Sequence, residues 1–247
     1  MDNWVDTDLT ELTGGKPLAG PASSGKHLVA LLTTPNNQRH VYFAAKSGDL
    51  EQLYFNGSSW SKQNLTATTH GPGVDTGNFD FWMAACVVNN DQYVFFASPD
   101  LHLHEFSYVD HWKDTDLTAL TGFTTGGSAA AFAVPGTSSL AVFYSDSNGD
   151  VHYLPSSNGK SWPEDFDLTS ITGQSASVDG AIGFATTPND QLHFYTSAAS
   201  GVNQFYFNGS DWSFQNLPGG SYWEPYGLAG FNVGNEQYVY YLASNPD

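Results

Sequence analysis

The sequence predicts an all-β fold, a five-bladed β-propeller of four-stranded repeats about 50 residues long, forming a single domain over residues 1–247. Three observations predict it. The segment Trp4 to Thr10 (WVDTDLT) recurs as Trp112 to Thr118 (WKDTDLT), with weaker copies at Trp60 (WSKQNLT), Trp162 (WPEDFDLT) and Trp212 (WSFQNLP). Between the tryptophans an aromatic pair recurs: Tyr42-Phe43, Phe95-Phe96, Phe143-Tyr144, Phe194-Tyr195 and Tyr240-Tyr241. The hairpin end Tyr54 to Trp60 (YFNGSSW) returns almost letter for letter as Tyr206 to Trp212 (YFNGSDW).

Each repeat reads as four short strands. The first is small and apolar: Leu28 to Thr33, Trp82 to Val88, Ala129 to Val134, Ala181 to Thr186 and Leu228 to Val233. Strands nearest a propeller axis are crowded, which suits Ala and Gly. The second strand carries the aromatic pair, expected to fill the space between adjacent blades. The third alternates, as in Leu101-His102-Leu103-His104-Glu105-Phe106, so that successive side chains face opposite neighbours. The fourth starts at the repeating Trp. Asn-Gly at 56–57, 158–159 and 208–209 is a strong short hairpin signal. No 3.6-residue period is sustained, so no helix is expected.

The repeats yield five first strands, five second strands and five Trp-led strands, but four third strands. Circular closure follows: Trp4 to Thr10 completes the last blade from outside, which leaves that blade one strand short. The alternative is a homodimer in which a second chain fills the gap, because an open edge invites pairing.

Lys and Arg number 7 against 25 Asp and Glu, a net charge of -18. Such a surface repels phosphate backbones and anionic membranes, which excludes nucleic acid as a partner class. No run approaches 18 apolar residues, so no membrane insertion is expected. Met1 to Asp6 has no basic start and no apolar run, so no signal peptide is expected. The chain is expected to be soluble, cytoplasmic or released outside the cell. The lone Cys86 cannot form an internal disulfide.

The repeat resembles that of the tandem-repeat β-propeller lectins of fungi and bacteria. The residues that carry the likeness are Arg39-His40-Val41-Tyr42-Phe43, Asp49 to Phe55 and Trp60, then Tyr93-Val94-Phe95-Phe96, His102 to Phe106 and Trp112. The resemblance implies sugar binding between blades, several sites per chain, no cofactor and no catalysis. The fucose-specific members hold the sugar with an Arg opening the second strand, a Glu on the third and an aromatic platform. Here the Arg position reads His40, Tyr93, Ala141, Leu192 and Tyr238, and the Glu position reads Gln52, Glu105, Tyr153 and Gln204. A related lectin with different sugar chemistry or fewer sites is the expectation.

The residues themselves point the same way. A pyranose presents one apolar face and a ring of hydroxyls, so its site needs an aromatic surface and fixed polar side chains. Trp60, Trp112, Trp162 and Trp212 are the candidate platforms. Gln52, Glu105, Tyr153 and Gln204 are the candidate hydroxyl partners, with His40 and Tyr93 assisting. Packing between blades explains the tryptophans equally, and a solvated strand explains the polar set. On the third strand, Gln52, Glu105 and Gln204 share one face, and His104 and His152 share the other with Glu51 and Asn203.

Other chemistry is less supported. His102 and His104 share one strand face and can chelate, but the sequence shows no third local ligand and no metal is expected. Asp146-Ser147-Asn148-Gly149-Asp150 starts like a calcium loop, yet Ser157 stands where the bidentate Glu belongs, and a tight turn explains it. A five-bladed propeller glycosidase would use axial carboxylates, for which Asp80, Asp179 and Glu224 are the candidates. A protein-interaction propeller shares the architecture. Asn56 and Asn208 lie in sequons, where hairpin geometry is the better explanation.

Overall fold

The computed structural model describes residues 8–9, 11, 29–75, 82–174, 182–186, 191–198, 201–218, 223–233 and 236–244. Among them lie four antiparallel four-stranded sheets and one two-stranded sheet. The first sheet holds β1 (Val29–Thr33), β2 (Arg39–Ala44), β3 (Leu50–Phe55) and β4 (Trp60–Asn64). The second holds β5 (Met83–Val88), β6 (Asp91–Ala97), β7 (Leu103–Tyr108) and β8 (Trp112–Asp116). The third holds β9 (Thr125–Ala133), β10 (Leu140–Asp146), β11 (Val151–Ser156) and β12 (Phe166–Asp167). The fourth holds β13 (Ile182–Thr186), β14 (Gln191–Ala198), β15 (Gly201–Phe207) and β16 (Trp212–Pro218), and β17 (Trp223–Val233) pairs with β18 (Glu236–Ser244).

Strands follow chain order within each sheet, and the first strands lie side by side in series: β1 by β5, β5 by β9, β9 by β13, β13 by β17. Register explains why those strands are small. Ala30, Ala84 and Ala130 pair with Tyr42, Phe95 and Phe143, so each large ring sits across from a methyl group.

The core lies between sheets. Alternation sends Tyr42 of β2 toward Val94, Phe96 and Phe106 of the second sheet, in one cluster with Met83 and Trp112. The other face of β6, Tyr93 and Phe95, packs with Leu140, Val142 and Tyr144 of the third sheet. Phe143 then joins Phe194 and Phe205 of the fourth, and Tyr195 meets Leu228 and Val239 of the last sheet. The repeating aromatic pair is thus one ring for each flanking sheet. Cys86 is buried in this core, and burial pushes its thiol upward.

Three features depart from the sequence expectation. First, three one-turn helices follow the outer strands: α1 (Leu65–Thr69), α2 (Thr118–Thr121) and α3 (Leu168–Thr172). They are too short to show a period, and side chains cap the first and third of them. The Asn64 side chain accepts from Ala67 N at 2.8 Å, and Asp167 accepts from Ser170 N at 2.8 Å. Replacing Asp167 by Ala is expected to cost about 1 kcal/mol of unfolding free energy in urea denaturation, with Asp167→Asn near neutral. Second, Trp162 does not begin a strand; β12 starts only at Phe166. Pro163 supplies no N–H and disfavours regular pairing around Trp162. Third, β9 and β17 are longer than expected, and β17 takes in Glu224.

The turns behave as read. Asn56 Oδ1 accepts from Ser58 N and Ser59 N, both at 3.0 Å, and Asn208 Oδ1 accepts from Ser210 N and Asp211 N. Asp146 Oδ1 accepts from Asn148 N at 2.8 Å and Asp150 N at 2.9 Å, a tight turn. The closing segment Trp4 to Thr10 lies outside the described residues, apart from Asp8 and Leu9.

Candidate functional site

Apart from Trp60, the sequence-derived set lies at sheet junctions. Between the first and second sheets, Gln52 on β3 stands opposite Tyr42 on β2. Its Nε2 donates to Tyr42 Oη at 3.0 Å and lies 2.9 Å from His40 Nδ1. Tyr42 in turn donates to Oε1 of Gln92, which opens near the start of β6 in the next sheet, at 2.6 Å. Trp112 presents its edge to Tyr42, with ring centroids 6.2 Å apart and planes at 77°. All five side chains are buried. Burial pulls the His40 imidazole down to about 4, so it is neutral near pH 7 and accepts at Nδ1. Nε2 of His40 meets no partner among the described residues.

The junction between the fourth and last sheets repeats this arrangement. Gln204 Nε2 lies 2.8 Å from His193 Nδ1, donates to Tyr195 Oη, and reaches Oε1 of Gln237 on β18 at 3.3 Å. Tyr195 also donates to Gln237. The counterpart of His40 is therefore His193, one residue beyond Leu192. The β14–β15 pairing puts Tyr195, and not Phe194, opposite Gln204.

Between the second and third sheets the polar group is Glu105, opposite Phe95. Trp162 crosses from the third sheet, donating its Nε1 to Glu105 Oε2 at 2.9 Å and standing edge-on to Phe95 at 5.8 Å. Glu105 is 2% exposed. Burial raises its carboxyl to about 7, against the lowering effect of hydrogen bonds from Ser107 and Trp162. Tyr93 Oη donates to the Asn158 carbonyl at 3.3 Å across the same junction.

Between the third and fourth sheets, Tyr153 and Phe143 meet Trp212 at 5.1 and 5.8 Å. Here the tryptophan is half-buried and lines a pocket of about 380 Å³ with Ile171, Thr172, Gln174, Ser213 and Phe214. The pocket joins the end of α3 to β16. Trp60 is also half-buried, against Phe55 at 5.5 Å. Thus Trp112, Trp162 and Trp212 play one part at three successive junctions, each edge-on to the equivalent ring of the preceding sheet.

Sequence reasoning placed the third-strand residues correctly on a face that meets a neighbouring sheet. It missed Gln92 and Gln237, whose shared signal is their place three residues before equivalent rings. It missed Thr172 and Gln174, because α3 was not expected. It also missed the carboxylates behind the opposite-face histidines. Asp114 Oδ1 lies 2.9 Å from His104 Nδ1, and Asp165 Oδ2 lies 2.9 Å from His152 Nδ1. Of the carboxylates considered for catalysis, Asp80 and Asp179 lie outside the described residues, and Glu224 lies within β17 instead of before it.

Scans of the sequence against family models and curated proteins find no match. The fold does match solved structures. SapL1 lectin, in complex with alpha methyl fucoside, aligns with a TM-score of 0.63 at 16% identity, over 89% of this chain and 74% of that one. The fold is that of the β-propeller lectins. The lectin of Aleuria aurantia, described as a six-bladed propeller with a novel fucose recognition mode, aligns at 0.59 and 18% identity, over 87% and 71%. BP39L lectin from Burkholderia pseudomallei aligns at 0.62 and 15%, over 87% and 63%. No helix among the described residues of this propeller-lectin fold is long and apolar enough to cross a membrane.

Proposed function

We propose that the chain is a non-catalytic lectin that binds mono- or oligosaccharides in clefts between adjacent sheets. The observation that carries this reading is the Trp212 pocket. Its volume suits a small ligand, Trp212 and Phe214 lie in its wall, and Gln174, Thr172 and Ser213 offer donors and acceptors for paired hydroxyls. The propeller lectins of similar fold, one of them bound to a fucoside, support the class of ligand.

The other junctions share the Trp-on-ring frame, and several weak sites would gain affinity together on a glycan surface. Their polar groups are bonded to protein, so a sugar there would compete with Gln52, Glu105 or Gln204 for existing partners. His40, Tyr93, Ala141 and His193 stand where the fucose-specific lectins carry Arg. Recognition in this reading therefore uses neutral donors and acceptors and no guanidinium. Five sheets in series also support five blades, with the last completed by Trp4 to Thr10.

Gln174→Ala, at an exposed position, is expected to weaken glycan binding about ten-fold, as befits the loss of a buried hydrogen bond to ligand. Trp212→Ala should abolish binding at this site while circular dichroism stays that of a β protein. Unchanged affinity in both variants would place the sugar elsewhere.

A further inference from the structure

The second sheet carries a side-chain cluster that sugar binding does not use. It lies at the β6–β7 turn, Ser98-Pro99-Asp100-Leu101. Equivalent turns close the first and third sheets. Ser98 N bonds His102 O and Leu101 N bonds Ser98 O, both at 2.9 Å, as Ala45, Gly48 and Asp49 do in one sheet and Asp146, Gly149 and Asp150 in the other. Gly48 and Gly149 have φ of 87° and 85°, but the second sheet places Leu101 there, at 67°. A side chain in this left-handed region costs about 1 kcal/mol. It is held by Thr125, whose N and Oγ1 both bond the Leu101 carbonyl, at 2.8 and 3.0 Å.

What differs in this turn is its chemistry. Asp100 stands where the other sheets have Ser47 and Asn148, and His102 where they have Asp49 and Asp150. His104 follows on the same strand face. One ligand atom from each of Asp100, His102 and His104 lies within 4.8 Å of the others. Donors bound 2.0–2.2 Å from a tetrahedral metal sit about 3.4 Å apart. A rotation of the exposed Asp100 side chain narrows the spacing while Asp116 holds His102 in place.

Both imidazoles are already oriented. His102 Nδ1 is 2.8 Å from Asp116 Oδ2, and His104 Nδ1 is 2.9 Å from Asp114 Oδ1. An ionised carboxylate only accepts, so each Nδ1 carries a hydrogen and Nε2 is the ring nitrogen left to face a metal. Such carboxylate–imidazole pairs fix the tautomer and raise ligand basicity in metal sites. His104 is further held by Phe96, stacked at 5.8 Å.

We propose that Asp100, His102 and His104 form a binding site for a divalent transition-metal ion of the Zn²⁺ type. Two imidazole nitrogens and one carboxylate oxygen suit Zn²⁺ or Co²⁺ better than Ca²⁺ or Mg²⁺, which prefer oxygen alone. Three protein ligands leave coordination positions for water or an external ligand. The equivalent turns of the first and third sheets place Asp49 and Asp150 at the His102 position and so lack its imidazole.

The test is calorimetric titration of the untagged full chain with ZnCl₂, with Co²⁺ absorption as a second readout. One saturable site per chain is expected. His102→Gln and Asp100→Asn should abolish it. Asp116→Asn, which keeps an acceptor for Ala119 N, should weaken it about 10–100-fold. His111→Gln, at an exposed position elsewhere, should leave it unchanged. Absence of saturable binding up to millimolar Zn²⁺, or undiminished binding in His102→Gln, would overturn the proposal.

Discussion

Replacing Glu105 by glutamine is expected to stabilise the protein above neutral pH and to leave its stability unchanged in strong acid. The folded chain holds this carboxyl at about 7, against an ordinary 4.5, because the side chain is buried between the second and third sheets. Below pH 4.5 the group is protonated in both states and favours neither. As pH rises from 4.5 to 7 the unfolded chain releases its proton while the folded chain retains it, so stability falls through that window. Above 7 the loss is complete, at about 3 kcal/mol for a shift of this size. Glutamine removes the ionisation and keeps a carbonyl to accept from Trp162 Nε1, now 2.9 Å from Glu105 Oε2. Urea denaturation at pH 4 and pH 8 measures the difference. An Glu105→Gln variant no more stable than wild type at pH 8 would show that the carboxylate is well solvated at this junction.

Gly159→Ala is expected to be among the most destabilising single-methyl additions in the chain. Gly159 has φ of 69°, so any side chain there is strained. An added Cβ would also lie 2.3 Å from Cζ of Tyr93, whose ring is fully buried across the sheet junction and cannot withdraw. Backbone strain and overpacking together come to about 2–4 kcal/mol. Gly57 and Gly209 occupy similar Asn-Gly turns, but a Cβ there meets nothing within 4 Å. Their Ala variants should lose only the backbone part, about 1 kcal/mol. Combining Gly159→Ala with Tyr93→Leu should recover part of the loss, and a double-mutant cycle in thermal or urea unfolding would measure that coupling.

The sheets were legible in the sequence because their signals are local and repeated. The Asn-Gly turns, the period-two alternation of Leu103 to Phe106 and the aromatic pairs each fix one strand or turn without help from the rest of the chain. The errors lie where a signal was short or where register decided. Asn64 and Asp167 are ordinary N-caps, but each opens a helix of a single turn, below the reach of any periodicity. Placing Leu192 at the His40 position shifted one strand by a residue, and the pairing of Tyr195 with Gln204 moves that position to His193. Trp162 looked like a strand start because its neighbours in the repeat are, and Pro163 breaks that rule.

The candidate site was legible as residue types and not as partnerships. Gln52, Glu105 and Gln204 were expected to face a neighbouring sheet, and they do. That their hydrogen bonds would go to Gln92, Trp162 and Gln237 depends on sheet-to-sheet geometry that no single repeat encodes. The same holds for Asp100: it lies two residues from His102, yet only the left-handed Leu101 between them brings the carboxylate beside the imidazoles.

Sugar binding is read most directly by a glycan array probed with the intact chain. Saturable binding to at least one glycan class, competed by the free sugar and reduced in Trp212→Ala, is the expected result. No binding above background across fucosylated, galactosylated, mannosylated and sialylated glycans would contradict it.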